Sequence, residues 1–181
     1  GRNTAAAMAS AVCMPDLKDS DLLLFLPADH FVSDAEIFLD TIQSGVVAAQ
    51  AGYIVTFGVL PTFPSTAYGY IQQGAVLKLK GQSADVYQVQ RFVEKPPVNQ
   101  AQEMLFSGDY SWNAGIFLFS ARSMLQAFAD HAPDLLPSVN DALESAKSDL
   151  GFLRLDPRAW GQAASISIDY AVMERADNLS V

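Results

Sequence analysis

Apolar residues in this chain fall into short unbroken blocks, separated by stretches in which they recur at helical spacing. Residues 22–26, Leu-Leu-Leu-Phe-Leu, form the first block, and Pro27 closes it. A run apolar at every position predicts a strand covered on both faces of a parallel sheet. Ile37, Phe38, Ile42, Val46 and Val47 then recur with the spacing of one helix face, which predicts a helix over roughly residues 34–51. Residues 54–59 are a second short apolar strand. Strand, long helix, strand is the βαβ pattern of an α/β fold.

The remaining pattern is consistent with that class. Residues 4–13 are rich in Ala and Met and predict a helix, with Asn3 or Thr4 as its cap. Residues 14–20 are a polar loop. Residues 62–74, with Pro, Ser, Thr, Gly and Tyr, predict a loop leading into a short strand. Residues 86–93 alternate as a strand does, and Glu94-Lys95-Pro96-Pro97 ends it. Pro96 biases Lys95 toward an extended backbone. A helix is expected over 98–107 and a buried strand over 111–120, through Trp112, Ile116, Phe117, Leu118 and Phe119. Two helices follow, from about Ser123 and about Leu135. Residues 151–167 read as irregular with at least one short strand, and 169–176 as a helical turn or two. With no internal repeat, low-complexity tract or linker, the reading is one domain over residues 1–181.

Composition narrows the function. Half of the 181 residues are hydrophobic and 17% are charged, enough for a sizeable core. The net charge of -9 and the scatter of the 11 Lys and Arg argue against nucleic acid as a partner. A few local cations or a metal can still hold a phosphate inside an acidic protein. The one cysteine, Cys13, excludes an intrachain disulfide framework, fits a cytoplasmic protein and reads as a small apolar residue. No apolar run approaches the roughly 18 residues that span a bilayer, so no membrane partner is expected.

Several polar residues sit where chemistry collects. Asp29 lies just beyond the first strand, where open α/β sheets gather ligands, and is placed to hold a divalent metal or merely to cap a helix. Gly69, between Tyr68 and Tyr70, marks either a close backbone approach or an ordinary turn. Glu94 and Lys95 at a strand end can divide labour, the carboxylate accepting from hydroxyls and the ammonium neutralising a phosphate, or can be a solvated strand end. Asn113 enters a very apolar strand and must find partners, in a sugar or in the backbone. Asp169 is a second candidate carboxylate, or a helix cap. His30 and His131 have no metal-type spacing and are read as non-catalytic. There is no nucleophile elbow, P-loop or dinucleotide fingerprint.

The order of these motifs is more specific than any one of them. Gly-Arg-Asn-Thr-Ala (1–5), Leu-Pro-Ala-Asp-His (26–30), Tyr-Gly-Tyr-Ile (68–71), Phe-Val-Glu-Lys-Pro (92–96), Trp-Asn-Ala-Gly-Ile-Phe-Leu-Phe (112–119) and Ser-Ile-Asp-Tyr-Ala-Val-Met-Glu (167–174) follow one another. The chain resembles the bacterial mannose-1-phosphate guanylyltransferases over nearly its whole length, to about Asp177. The resemblance implies a Rossmann-like, GT-A-like nucleotidyltransferase fold: a mixed, mostly parallel sheet flanked by helices. It implies GTP and mannose 1-phosphate as substrates, GDP-mannose and pyrophosphate as products, and Mg2+ as cofactor. By matching motifs, Asp29 and Asp169 would be metal and catalytic carboxylates, Lys95 a catalytic contact to the sugar phosphate, and Gly69, Tyr70, Glu94 and Asn113 sugar contacts. Arg2, Asn3 and Thr4 would belong to the nucleotide pocket.

The family's glycine-rich loop, with its Arg and a later Lys, normally precedes these motifs. The resemblance therefore implies an amino terminus further upstream, an inactive chain without it, and an unpaired sheet edge. Ala67 stands where the family usually has Gly. A nucleotidyltransferase for another sugar or base, a sugar-nucleotide-binding module without turnover, and a homo-oligomeric state all remain open at this point.

Overall fold

In the computed structural model, which describes residues 1–82 and 84–181, the chain divides into two units, Gly1–Asp21 with Ala121–Ala176 and Leu22–Ser120 with Asp177–Val181. The second unit contains the six-stranded sheet. Its strands are β1 (Leu22–Phe25), β2 (Ile54–Val59), β3 (Tyr70–Val76), β4 (Tyr87–Val93), β5 (Tyr110–Ser120) and a short β8 (Leu179–Ser180), in the order β1-β5-β2-β8-β4-β3, with β5 also pairing β3. The α/β class holds, but the sheet is not mostly parallel. Only β2 and β8 pair in parallel among the described strands. The cause is the long β5. It runs opposite to β1 and β2 and lies between them, so the two strands that share a direction are not neighbours.

The helix joining them, α2 (Ala35–Gln50), starts where Asp34 accepts from the Ile37 N–H at 3.0 Å. It packs by small residues: Gly45, Ala48 and Ala49 are buried, and Ala48 and Ala49 form one cluster with Val55, Val86 and Leu118. Ile37, read as part of the apolar face, is exposed. On the other side of the chain's middle, α3 (Val98–Ser107) ends at Gly108, whose φ of +77 is the left-handed helix stop glycine favours. Its Ala101 and Met104 cover Tyr70 and Trp112.

β1 differs from its expectation too. It is an edge strand, paired among the described residues with β5 alone, and Leu24 and Leu26 are 38% and 50% exposed.

The first unit is helical. Helix α1 (Asn3–Val12) buries Ala5, Ala6, Met8, Ala9 and Val12. Neither Asn3 nor Thr4 caps it; Arg2 occupies that position without a side-chain bond. Helices α4 (Ala121–His131), α5 (Leu135–Glu144) and α6 (Pro157–Gln162) follow, with a hairpin of β6 (Lys147–Asp149) and β7 (Phe152–Arg154) before α6. Asp156 caps α6 by accepting from Arg158 and Ala159 N–H groups at 3.0 and 2.9 Å, with Pro157 at its first position. Asp169–Met173 is a wide helical turn, closed by Glu174 N–H donating to the Asp169 carbonyl at 2.9 Å. Cys13 is half-buried, and that burial pushes its thiol pKa up, so it is a poor nucleophile. No helix among the described residues is long and apolar enough to cross a membrane.

Candidate active site

Three strand ends of the sheet unit bring together four of the expected residues. Gly69 precedes β3, Glu94 follows β4 and Asn113 lies in β5. β3 pairs with both β4 and β5, setting Tyr70 opposite Val93 and Trp112. Side chains alternate across a sheet. Tyr70, Val93 and Trp112 therefore share the face packed on α3, and Gly69, Glu94 and Asn113 share the opposite one. The approach there is close. A β-carbon on Gly69 would stand 2.6 Å from Glu94 Oε2 and 3.3 Å from the Asn113 Cβ. The Gly69 carbonyl accepts from the Asn113 N–H at 2.8 Å. Gly69 is thus a close-approach glycine, not an ordinary turn glycine.

Lys95 Nζ bonds Glu94 Oε1 at 2.5 Å; the Glu94 side chain is 7% exposed and that of Lys95 54%. The backbone of Lys95 is not extended, as the following proline suggested. Its φ is +48, in the left-handed region that non-glycine residues seldom occupy. The Lys95 N–H donates to the Tyr68 carbonyl at 3.3 Å, so the lysine is tied by main chain and side chain to the Tyr68–Gly69 loop and to Glu94. Strained backbone of this kind concentrates at functional sites.

Tyr70 is placed otherwise than its sugar-contact assignment. It is fully buried, and its hydroxyl accepts from the Ser65 N–H at 2.9 Å. Its side chain supports the loop from beneath instead of facing a ligand. Asp29 is exposed in the turn beyond β1. The start of that turn, Pro27, lies beside β5: a β-carbon on Gly115 would come 3.6 Å from Pro27 Cγ.

The remaining expected residues belong to the helical unit. Arg2 donates from its guanidinium to the Gly161 carbonyl. Thr4 Oγ1 accepts from the Ile168 N–H at 2.8 Å, and Ala5 N–H donates to the Ile166 carbonyl at 3.2 Å. The amino-terminal motif is thereby laced to the segment just before Asp169, which is half-buried at the head of its turn. Asn3 takes a φ of +63, and its side chain accepts from the Thr4 N–H. The two candidate metal carboxylates thus belong to different units, Asp29 to the sheet unit and Asp169 to the helical one. Thr56, which sequence reasoning passed over, joins the sheet-unit group: its hydroxyl donates to Asn113 Oδ1 at 3.2 Å.

The chain belongs to the nucleotidyl transferase family, whose model matches residues 1–164. Within it, the chain is 43% identical over 182 residues to a mannose-1-phosphate guanylyltransferase of Sinorhizobium fredii (strain NBRC 101917 / NGR234), covering 99% of this chain and 35% of that protein. It is 44% identical to the xanthan biosynthesis protein XanB of Xanthomonas campestris pv. campestris (strain B100), covering 97% of this chain and 36% of the relative. The chain therefore spans little more than a third of the curated relatives' length. A solved structure described as mannose-1-phosphate geranyltransferase from Thermus thermophilus superposes with a TM-score of 0.80 at 33% identity, over 100% of this chain and half of that one. Another, described as mannose-6-phosphate isomerase from Helicobacter pylori, gives 0.86 at 32%, covering 99% of this chain and 67% of that one.

Proposed function

We propose that this chain is part of an enzyme that transfers GMP from GTP to mannose 1-phosphate, giving GDP-mannose and pyrophosphate. The observation that carries the reading is the convergence of Gly69, Glu94, Lys95 and Asn113 at one group of strand ends. It offers a carboxylate for sugar hydroxyls, an ammonium for the sugar phosphate and an amide for a further sugar oxygen. Relatives at 43% identity named for this reaction add support.

A phosphate oxygen of mannose 1-phosphate attacks the α-phosphorus of GTP, the bond to the β-phosphate oxygen breaks, and pyrophosphate leaves with that electron pair. No covalent enzyme intermediate is required, so the chain's task is positioning and charge neutralisation. Lys95 Nζ holds the incoming phosphate close to the carboxylate that orients the sugar. Gly69 leaves the space in which both can lie against the ligand. By the family resemblance Arg2, Asn3 and Thr4, in the helical unit, are the candidates for nucleotide contact. Asp29, in the sheet unit, and Asp169, in the helical unit, are each a carboxylate with hard oxygens of the kind magnesium takes, and each is a candidate ligand by the family resemblance. When bound, magnesium offsets the repulsion between phosphate oxygens.

The test is pyrophosphate release by the full-length protein, with mannose 1-phosphate and each of GTP, UTP and dTTP. Release with GTP in clear preference supports the reading. Preference for another nucleotide reassigns the base, and binding of GDP-mannose without release reduces the chain to a sugar-nucleotide-binding module.

A further inference from the structure

The register of β2 against β5 slips beside the proposed sugar site. Thr56 stands opposite Phe117 and Gly58 opposite Asn113, so two steps along β2 face four along β5. The surplus of β5 forms a bulge, a device that re-aims side chains. Within it Gly115 takes a φ of +69, a conformation open to glycine and costly to most side chains. That turn sends the Gly115 N–H back to Asn113 Oδ1 at 3.0 Å. From the neighbouring strand the Thr56 hydroxyl reaches the same oxygen at 3.2 Å. Thr56 is 1% exposed, so water does not compete at its hydroxyl.

The Gly115 contact settles which way round the amide lies. A backbone N–H can only donate, so the atom it meets must be the amide oxygen. Turning the amide over would set its NH2 group against the Gly115 N–H, donor against donor, in a partly buried place. The Thr56 hydroxyl, which can rotate to donate or accept, adds a second bond to the oxygen whose place the Gly115 N–H has set. The NH2 end, with two protons, is therefore directed away from Thr56 and Gly115.

We propose that Thr56 is a positioning residue for sugar recognition. By donating to Oδ1 it steadies the Asn113 side chain in the orientation that the Gly115 N–H sets, so that the NH2 end is presented to a sugar oxygen. The inference rests on the proposed function, because it takes Asn113 to contact the sugar. Thr56 itself touches no substrate. It acts through one hydrogen bond, and the bulge at Gly115 supplies the other.

The experiment compares Thr56→Ser, Thr56→Ala and Thr56→Val in the full-length protein, with KM for mannose 1-phosphate, KM for GTP, kcat and thermal midpoint measured for each. The serine and alanine variants differ only in the hydroxyl, so their comparison stands even if the valine variant does not fold. Loss of one oriented hydrogen bond corresponds to about a tenfold effect. Expected are a roughly tenfold rise in KM for mannose 1-phosphate for Ala and Val, an unchanged KM for GTP, and a Ser variant within about twofold of the parent. Three results overturn the proposal: Ala as unimpaired as Ser in sugar-phosphate KM, Ser as impaired as Ala, or both substrates' KM values moving together. A parent protein that releases no pyrophosphate from GTP and mannose 1-phosphate overturns the functional reading itself, and is distinguishable from all three.

Discussion

The Asn113 N–H donates to the Gly69 carbonyl at 2.8 Å, joining the loop before β3 to the middle of the sheet's longest strand. That bond holds the loop against β5, and Glu94 Oε2 and the Asn113 Cβ crowd the place a side chain at position 69 would take. A Gly69→Ala methyl would meet Glu94 Oε2 at 2.6 Å, below any ordinary carbon contact. The carboxylate must swing away from its place. We expect a rise in KM for mannose 1-phosphate of about tenfold or more, with a small loss of thermal stability and an unchanged KM for GTP. Steady-state kinetics with each substrate varied in turn checks this.

Asp29 is exposed and lies in a turn, so truncating it touches no packing. Asp29→Ala should leave the stability within about 0.5 kcal/mol of the parent. If it holds the metal, turnover of the full-length protein should fall by on the order of a hundredfold or more. A variant with near-normal turnover at saturating magnesium would remove Asp29 from the centre.

Lys95 separates folding from function. Its left-handed backbone costs on the order of 1 kcal/mol, and glycine adopts that conformation freely. Lys95→Gly should therefore denature at or above the parent's midpoint while losing most sugar-phosphate turnover. Lys95→Ala should lose the same activity with no gain in stability. Paired denaturation and kinetic measurements distinguish the two; equal stabilities would show that the strain is relieved elsewhere.

Acid sensitivity should trace in part to Asp109. Hydrogen bonds from Ser107, then from Gln72, whose Nε2 lies 2.7 Å from Oδ2, hold its carboxyl below the ordinary value of 3.8. A depressed carboxylate contributes stability that is fully present above its unfolded pKa and lost as pH falls through the lower folded value. Asp109→Asn should then be less stable at neutral pH but show a flatter decline below about pH 4. Urea midpoints measured from pH 7 down to pH 3 test it, and parallel curves for the two proteins would refute it.

The elements were legible where the signal was local, and less so where distant strands decided. The apolar block at residues 22–26 correctly announced a strand, but an apolar run reports burial and not the direction of a partner. β5, far along the chain, is that partner, and it runs the other way. At Lys95 a local rule was overridden: the proline disfavours the observed backbone, and bonds to Tyr68 and Glu94 hold it there. Helix α6 was missed, since residues 151–167 were read as irregular; it is only six residues long, and its signal is confined to the cap Asp156 and the first-turn Pro157. β8 has two residues and leaves no periodicity to find. In the candidate site, motif order gathered Gly69, Glu94 and Asn113, while their mutual contact needed the strand pairing. Thr56 was missed because a threonine in an apolar strand looks like any other β-branched residue.

Gly69 and Tyr70 adjoin in sequence and serve opposite faces, one the side of the candidate site and one the interior. Inserting or deleting a single residue there would send the tyrosine ring toward the ligand and open a hole where it had been. Such a length change would injure stability and recognition together, and neither defect could be repaired separately. The spacing of the loop is therefore tied to the packing of the interior that supports it.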